Sequence, residues 1–196
     1  MFLSESMPSV CDPTTFGLDK AVSNKLKLKN LKKHIAKKIG SLPLASGKLL
    51  DVMRSGTTGG SVYAEREGNL VLYIQYSTYR YAFLPMQALT QTKLWRSQSL
   101  LVSHEFSHNL FFQIMLPLSG AILSDKEQTS DGQEFWKRRC MEALQIGCHV
   151  ALVDFGTRSY KEFSDADGLE PARLDSWGGG LMQQHYQQKR WLIWKS

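Results

Sequence analysis

The sequence predicts an α/β fold: a mixed, mainly antiparallel sheet with helices on both faces, carrying a basic helical extension at its N-terminal side. Three observations point there. A lysine-rich stretch with helical apolar spacing comes first, a run of Val-, Ile- and Tyr-rich segments with short turns follows, and helical and strand-like segments alternate in the C-terminal half. With 196 residues, 42% hydrophobic and 21% charged, the chain is long enough for one full core and short for two. One domain over residues 18–196 is expected.

Residues 1–17 read as a loosely ordered lead, polar and punctuated by Pro8, Pro13 and Gly17. From Leu18 to Ile39, Leu28, Leu31, Ile35 and Ile39 recur at three- and four-residue steps, which predicts a helix ended by Gly40 and Pro43. A second short helix is expected over Gly47–Arg54, so that residues 18–54 form the basic helical part, and Ser55–Gly60 reads as a loop. The period then changes. Ser61–Arg66 and Asn69–Tyr76, split by Glu67-Gly68, read as a hairpin, and Tyr79–Ala88 as a third strand held to an edge or bulge by Pro85. Ser97–Leu116 reads as an apolar helix stopped by Pro117, Gly120–Ser124 as a very short strand, and Ser130–Gln145 as a helix closed by Gly147. Cys148–Phe155 is a buried-type strand, Gly156–Gly180 a long loop, and Lys189–Lys195 a last strand.

The net charge of +6 is concentrated. Nine lysines lie between Leu18 and Leu50 against Asp19 alone, leaving the rest of the chain slightly acidic. Such a block favours polyanions, and Lys25, Lys29, Lys32 and Lys33 are the candidate contacts to nucleic acid or an acidic protein face. A solvated helix face is the plainer explanation. No uncharged apolar run is long enough to span a bilayer, so no membrane partner is expected and the chain is placed in the cytoplasm. Cys11, Cys140 and Cys148 lack the spacing of a disulfide framework or a zinc knuckle and read as free thiols.

The element order, together with Gly120-Ala-Ile-Leu-Ser-Asp-Lys-Glu-Gln-Thr-Ser-Asp-Gly-Gln-Glu-Phe-Trp136, resembles the C-terminal half of the GNAT acetyltransferase superfamily. A short strand there precedes a helix beginning Asn-x-x-Ala-x-x-x-Tyr, and Thr129, Gly132 and Trp136 stand at that spacing here. The string is also similar to divergent phage and mobile-element members. The resemblance covers Ser61–Phe155. It implies a fourth strand at Tyr79–Ala88 and a fifth at Ala121–Ser124 that splay apart to pair with the pantetheine arm of acyl-CoA, and a helix starting near Ser97–Ser103 that holds the pyrophosphate on its unpaired amides. Ser103, Leu123, Ser124 and Thr129 are the implied cofactor contacts, and the implied activity is acyl transfer from acyl-CoA or a similar donor to an amine on an anionic macromolecule.

Two departures matter. Leu94–His108 contains no glycine where the family's pyrophosphate turn is glycine-rich, and Trp136 replaces the tyrosine that protonates the leaving thiolate. An indole donates a hydrogen bond but is no general acid near neutral pH. Tyr160, Asp154, Glu134 and His104 are the remaining proton carriers, and without one of them the fold serves as a binding scaffold, an inhibitor or a nucleic-acid-binding protein.

His104-Glu105-Phe106-Ser107-His108 supports a competing reading. An HExxH on a helix sets two imidazoles one turn apart to share a zinc ion, with Glu105 as base and a carboxylate such as Glu134 as third ligand, giving a zinc-dependent hydrolase.

Overall fold

The computed structural model describes residues 21–56, 59–124, 130–169, 171–172 and 188–195. The chain is α/β with mostly antiparallel strand pairing, and its described residues pack as two compact units, those within 21–77 and 91–115 and those within 78–90 and 116–195. Among the described residues no helix is long and apolar enough to cross a membrane.

In the first unit, helix α1 (Ala21–Lys32) buries Asn24, Leu28 and Leu31. The two leucines pack with Tyr63, Leu70, Tyr73 and Trp95, so one apolar stripe holds the helix down. The helix is shorter than its spacing suggests. Ile35 is 96% exposed after the helix has ended, and Ile39 belongs to strand β1 (Ala36–Pro43). The expected helix over Gly47–Arg54 is strand β2 (Leu49–Ser55), in which Leu50 and Val52 are buried and Leu49 and Asp51 exposed. Two buried apolar positions are too few to display a period of two in the sequence, and pairing along β1 decides the conformation.

Strands β3 (Gly59–Arg66) and β4 (Asn69–Tyr79) form the expected hairpin. Glu67 and Gly68 take φ of 52° and 74°, the left-handed pair that matches the twist of its flanking strands. Strand β4 is buried from Leu70 through Ile74.

Strand β5 spans Ala88–Arg96, and the helix expected from Ser97 starts nine residues later. Leu101 and Val102 explain the delay, because they bond along the chain after β1 through Ala45 N–H to Leu101 O (3.3 Å) and the Leu44–Val102 bridge. Helix α2 (Phe106–Asn109) then widens into a π-helical stretch over Leu110–Met115 before α3 (Leu116–Ser119). Pro117 has no N–H to give Gln113 its ordinary bond, and its ring would press on that carbonyl, so the wider turn relieves both problems. The stretch buries Leu110, Phe111, Phe112, Ile114 and Met115. A bulge in β1 between Lys38 and Gly40 sets Gly40 so close to Ile114 that a Cβ would collide with its Cδ1.

In the second unit, the strand expected over Tyr79–Ala88 is a loop, a correction with a clear cause. Pro85 offers no donor to a ladder, and the apolar side chains pack downward instead. Leu84 is buried, with Tyr81, Phe83 and Met86 against it, on Ala88, Ala121, Leu123, Ala151, Val153, Leu192 and Trp194. The first residues of β5 pair in parallel with β6 (Ala121–Leu123) at Leu89 and Ile122. Strand β9 (Lys189–Trp194) lies antiparallel between β6 and β7 (His149–Asp154), and β8 (Ser159–Phe163) pairs antiparallel with β7. Helix α4 (Ser130–Gln145) connects β6 to β7 and ends at Gly147, whose N–H reaches Leu144 O (3.2 Å) while Cys148 N–H reaches Ala143 O (2.8 Å). Strand β8 occupies part of the expected Gly156–Gly180 loop; four of its five residues are exposed, so it carries no apolar alternation to reveal it. Trp177 and the three glycines after it lie outside the described residues.

Candidate functional site

A groove of about 490 Å³ opens in the first unit, between the start of α1, the β3–β4 turn and the end of β5. Asn24, Arg66, Trp95, Ser97, Ser99 and Leu100 define it. Each side is fixed locally. Asn24 donates its amide to Leu70 O and accepts from Leu70 N–H, both at 2.8 Å, and so serves β4 as a substitute strand partner. Ser97 N–H bonds to Val71 O (2.9 Å), and Leu100 N–H folds back to Ser97 O (3.1 Å). Arg96 closes that turn from behind, donating Nη1 to Leu100 O at 2.7 Å, and burial pulls its guanidinium below the ordinary arginine range.

The mouth is polar. The Ser97 and Ser99 hydroxyls share a hydrogen bond of 2.8 Å, and Arg66 faces Glu67 at 3.4 Å with both side chains largely exposed. A screened pair of that kind is readily exchanged for a ligand anion. Two hydroxyls and one guanidinium above walls of Trp95, Leu70 and Leu100 suit a ligand with an anionic end and a flat or apolar body. Of these residues only the Ser97–Ser103 stretch is singled out by the sequence. Arg66 and Asn24 are brought in by the hairpin and by α1, and neither carries a local signal.

The sequence-predicted residues are dispersed. Trp136 is buried and meets Phe135 edge-on, with ring centroids 6.3 Å apart, while Glu134 on the same helix is exposed. Asp154 Oδ1 accepts Gly156 N–H (2.8 Å) and Thr157 N–H (3.1 Å), which makes it the organiser of the β7–β8 turn. Tyr160 is exposed beside the edge of Trp194. Trp191 and Trp194 are both buried on β9, a strand interior to its sheet. Leu123 is fully buried opposite Leu192, and the Ser124 hydroxyl accepts Trp191 N–H (3.0 Å). Thr129 lies outside the described residues. Ser103 donates its hydroxyl to Pro43 O (3.2 Å) three residues before α2 begins, and Glu105 occupies the N-cap. The expected helix start near Ser97–Ser103 is thus corrected to Phe106, where the Glu105 side chain makes no capping hydrogen bond.

That correction also separates the HExxH. His104 is 90% exposed and outside the helix, while His108 sits in α2 with its ring 4.9 Å from that of Phe112. Among the described residues no three His, Cys, Asp or Glu side chains gather into a group that could hold a metal ion. Cys140 is buried and Cys148 half-buried; burial pushes both thiols up, against a smaller opposing effect of Lys195 on Cys148.

The lysine-rich segment divides by use. Lys32 pairs with Glu65 (2.6 Å), and Lys27 lies over the Tyr73 ring (4.6 Å). Lys38 pairs with Asp51 (2.7 Å), and hydrogen bonds from Lys38 and then Ser41 hold that carboxyl below its usual range. Lys25 and Lys29 on α1, and Lys33 just after its end, are exposed and make no ion pair among the described residues. Comparison with known proteins gives no match: no family model fits the chain, and no curated protein or solved structure is significantly similar to it.

Proposed function

We propose that the chain is a divergent GNAT-like acyltransferase-fold protein that binds acyl-CoA or a similar phosphate-bearing donor. One observation carries the reading: β5 and β6 run parallel with a single registered pair, α4 returns the chain to β7, and β9 inserts antiparallel between β6 and β7. The role of fourth strand passes from Tyr79–Ala88 to β5, whose end leads into Ser97–Leu100 and the groove. Arg66, Ser97 and Ser99 take the donor's phosphates, supplying the charge and hydroxyls that replace glycine amides. The exposed lysines Lys25, Lys29 and Lys33 recruit an anionic macromolecule that carries the acceptor amine.

In the transfer, the amine nitrogen attacks the thioester carbonyl, the C–S bond breaks, and the proton released by the amine neutralises the thiolate. Trp136 is buried and cannot ferry that proton. The exposed Glu134, Tyr160 and His104 are the candidate carriers that remain, since Asp154 serves its turn. The burial of Trp136 also favours a second reading, a non-catalytic scaffold on the same fold that binds nucleic acid or an acidic protein through α1.

Titration with acetyl-CoA in the presence of EDTA tests the proposal. Saturable thermal stabilisation is expected, weakened about tenfold in Arg66→Ala, whose exposed side chain contributes little to folding. No stabilisation at millimolar acetyl-CoA would overturn it. Stoichiometric zinc that is lost in His104→Ala would replace it with the hydrolase reading.

A further inference from the structure

Arg190 is an anomaly on β9. Only 8% of it is exposed, and its Nε is buried without a hydrogen-bond partner among the described residues. Among the described residues no carboxylate pairs with it. Its neighbour on β7 is Val153, and Asp154 one residue further along already gives Oδ1 to the turn amides. What the guanidinium does touch is aromatic: it lies 4.3 Å from the Phe155 ring centroid. Tyr81 and Phe83 from the loop before β5 meet that ring edge-on, at 4.9 Å and 5.5 Å. Attraction to a ring face compensates only part of the lost hydration of a buried cation. A methionine would fill the same sheet position without that penalty, whereas the guanidinium here stands ready to take a counter-charge supplied from outside.

From this we infer that Arg190, Phe155, Tyr81 and Phe83 form a binding site, separate from the groove, for a small molecule carrying a carboxylate on an apolar or aromatic body. The class follows from the chemistry. A guanidinium presents a planar fork that matches a carboxylate, whereas a dianionic phosphate would meet one cation, apolar walls and the nearby negative charge of Asp154. The half-buried rings of Tyr81, Phe83 and Phe155 offer the body of the ligand an apolar wall.

Benzoate is the probe, with the uncharged benzamide and inorganic phosphate as comparisons, on the full chain. Benzoate is expected to shift the Arg190 Nε–H resonance saturably and to raise the melting temperature, while benzamide does neither. Arg190→Met should bind benzoate at least tenfold more weakly without melting lower than the parent in the absence of ligand. Phe83→Leu keeps the cation and should weaken benzoate several-fold, which preserves the test if Arg190→Met fails to fold. An unmoved Nε–H signal at tens of millimolar benzoate, or undiminished binding by Arg190→Met, overturns the site. Phosphate binding as tightly as benzoate overturns the carboxylate assignment.

Discussion

Removing the Asn24 side chain tests how the groove wall is built. Leu70 is buried, and both its N–H and its C=O bond to the Asn24 side chain across 46 residues of sequence. Each backbone group left unpaired in a dry interior costs about 1–3 kcal/mol, but the groove beside Asn24 admits water that can recover part of it. Asn24→Ala is therefore expected to lose about 2–3 kcal/mol, toward the lower end of two unsatisfied groups. Asn24→Asp sharpens the prediction. It keeps the acceptor for Leu70 N–H but sets an anion against Leu70 O, and protonation restores a donor. A carboxyl in that position is held protonated by the fold, so the variant should gain stability relative to the parent as pH falls through the carboxylate range. Urea unfolding monitored by fluorescence, with unchanged m-value, is the assay. A loss under about 0.5 kcal/mol in Asn24→Ala, or an Asn24→Asp variant that does not recover in acid, would show that Leu70 finds other partners and that the clamp does not build this wall.

The close approach of β1 to the π-helical stretch predicts that Gly40→Ala destabilises by no more than about 1 kcal/mol, because the clash is with the tip of the Ile114 side chain, which can turn aside, and that Ile114→Val in the same chain removes the clash, a coupling readable in a double-mutant cycle. Burial first, then Glu65, raises the Tyr63 phenol, so the folded chain holds that proton more tightly than the unfolded one. Its stabilisation is complete below the ordinary phenol value of about 10 and falls as pH climbs above it, which alkaline unfolding with Tyr63→Phe as control would reveal. Of the two described thiols, Cys140 should resist a thiol reagent until the chain unfolds, while Cys148 reacts slowly in the native state; fast labelling of Cys140 would contradict its burial. Neutralising Lys25, Lys29 and Lys33 together should flatten the salt dependence of polyanion binding, with Lys32→Ala adding little because that side chain is already paired to Glu65.

Sequence alone determined the elements whose information is local. The turn at Glu67-Gly68, strands β3, β4, β6, β7 and β9, and α4 with its stop at Gly147 were all legible, because each carries either a strong apolar pattern over its own length or a residue suited to left-handed backbone. Tertiary structure decided the rest. Strands β1 and β2 are extended because they pair with each other, although their leucines and isoleucines also fit a helical spacing. The apolar Tyr81–Met86 segment is a loop because it packs on a core assembled from β6, β7 and β9, and β8 is a strand only because β7 offers it an edge. The candidate site divides the same way. Ser97 and Ser99 stood in a stretch singled out by the sequence, but Arg66 and Asn24 join them only through pairings across dozens of residues, and Arg190 becomes notable only once its surroundings are apolar. A residue's periodicity is written in its neighbours along the chain; its burial and its missing partner are properties of contacts that exist only after the chain has folded.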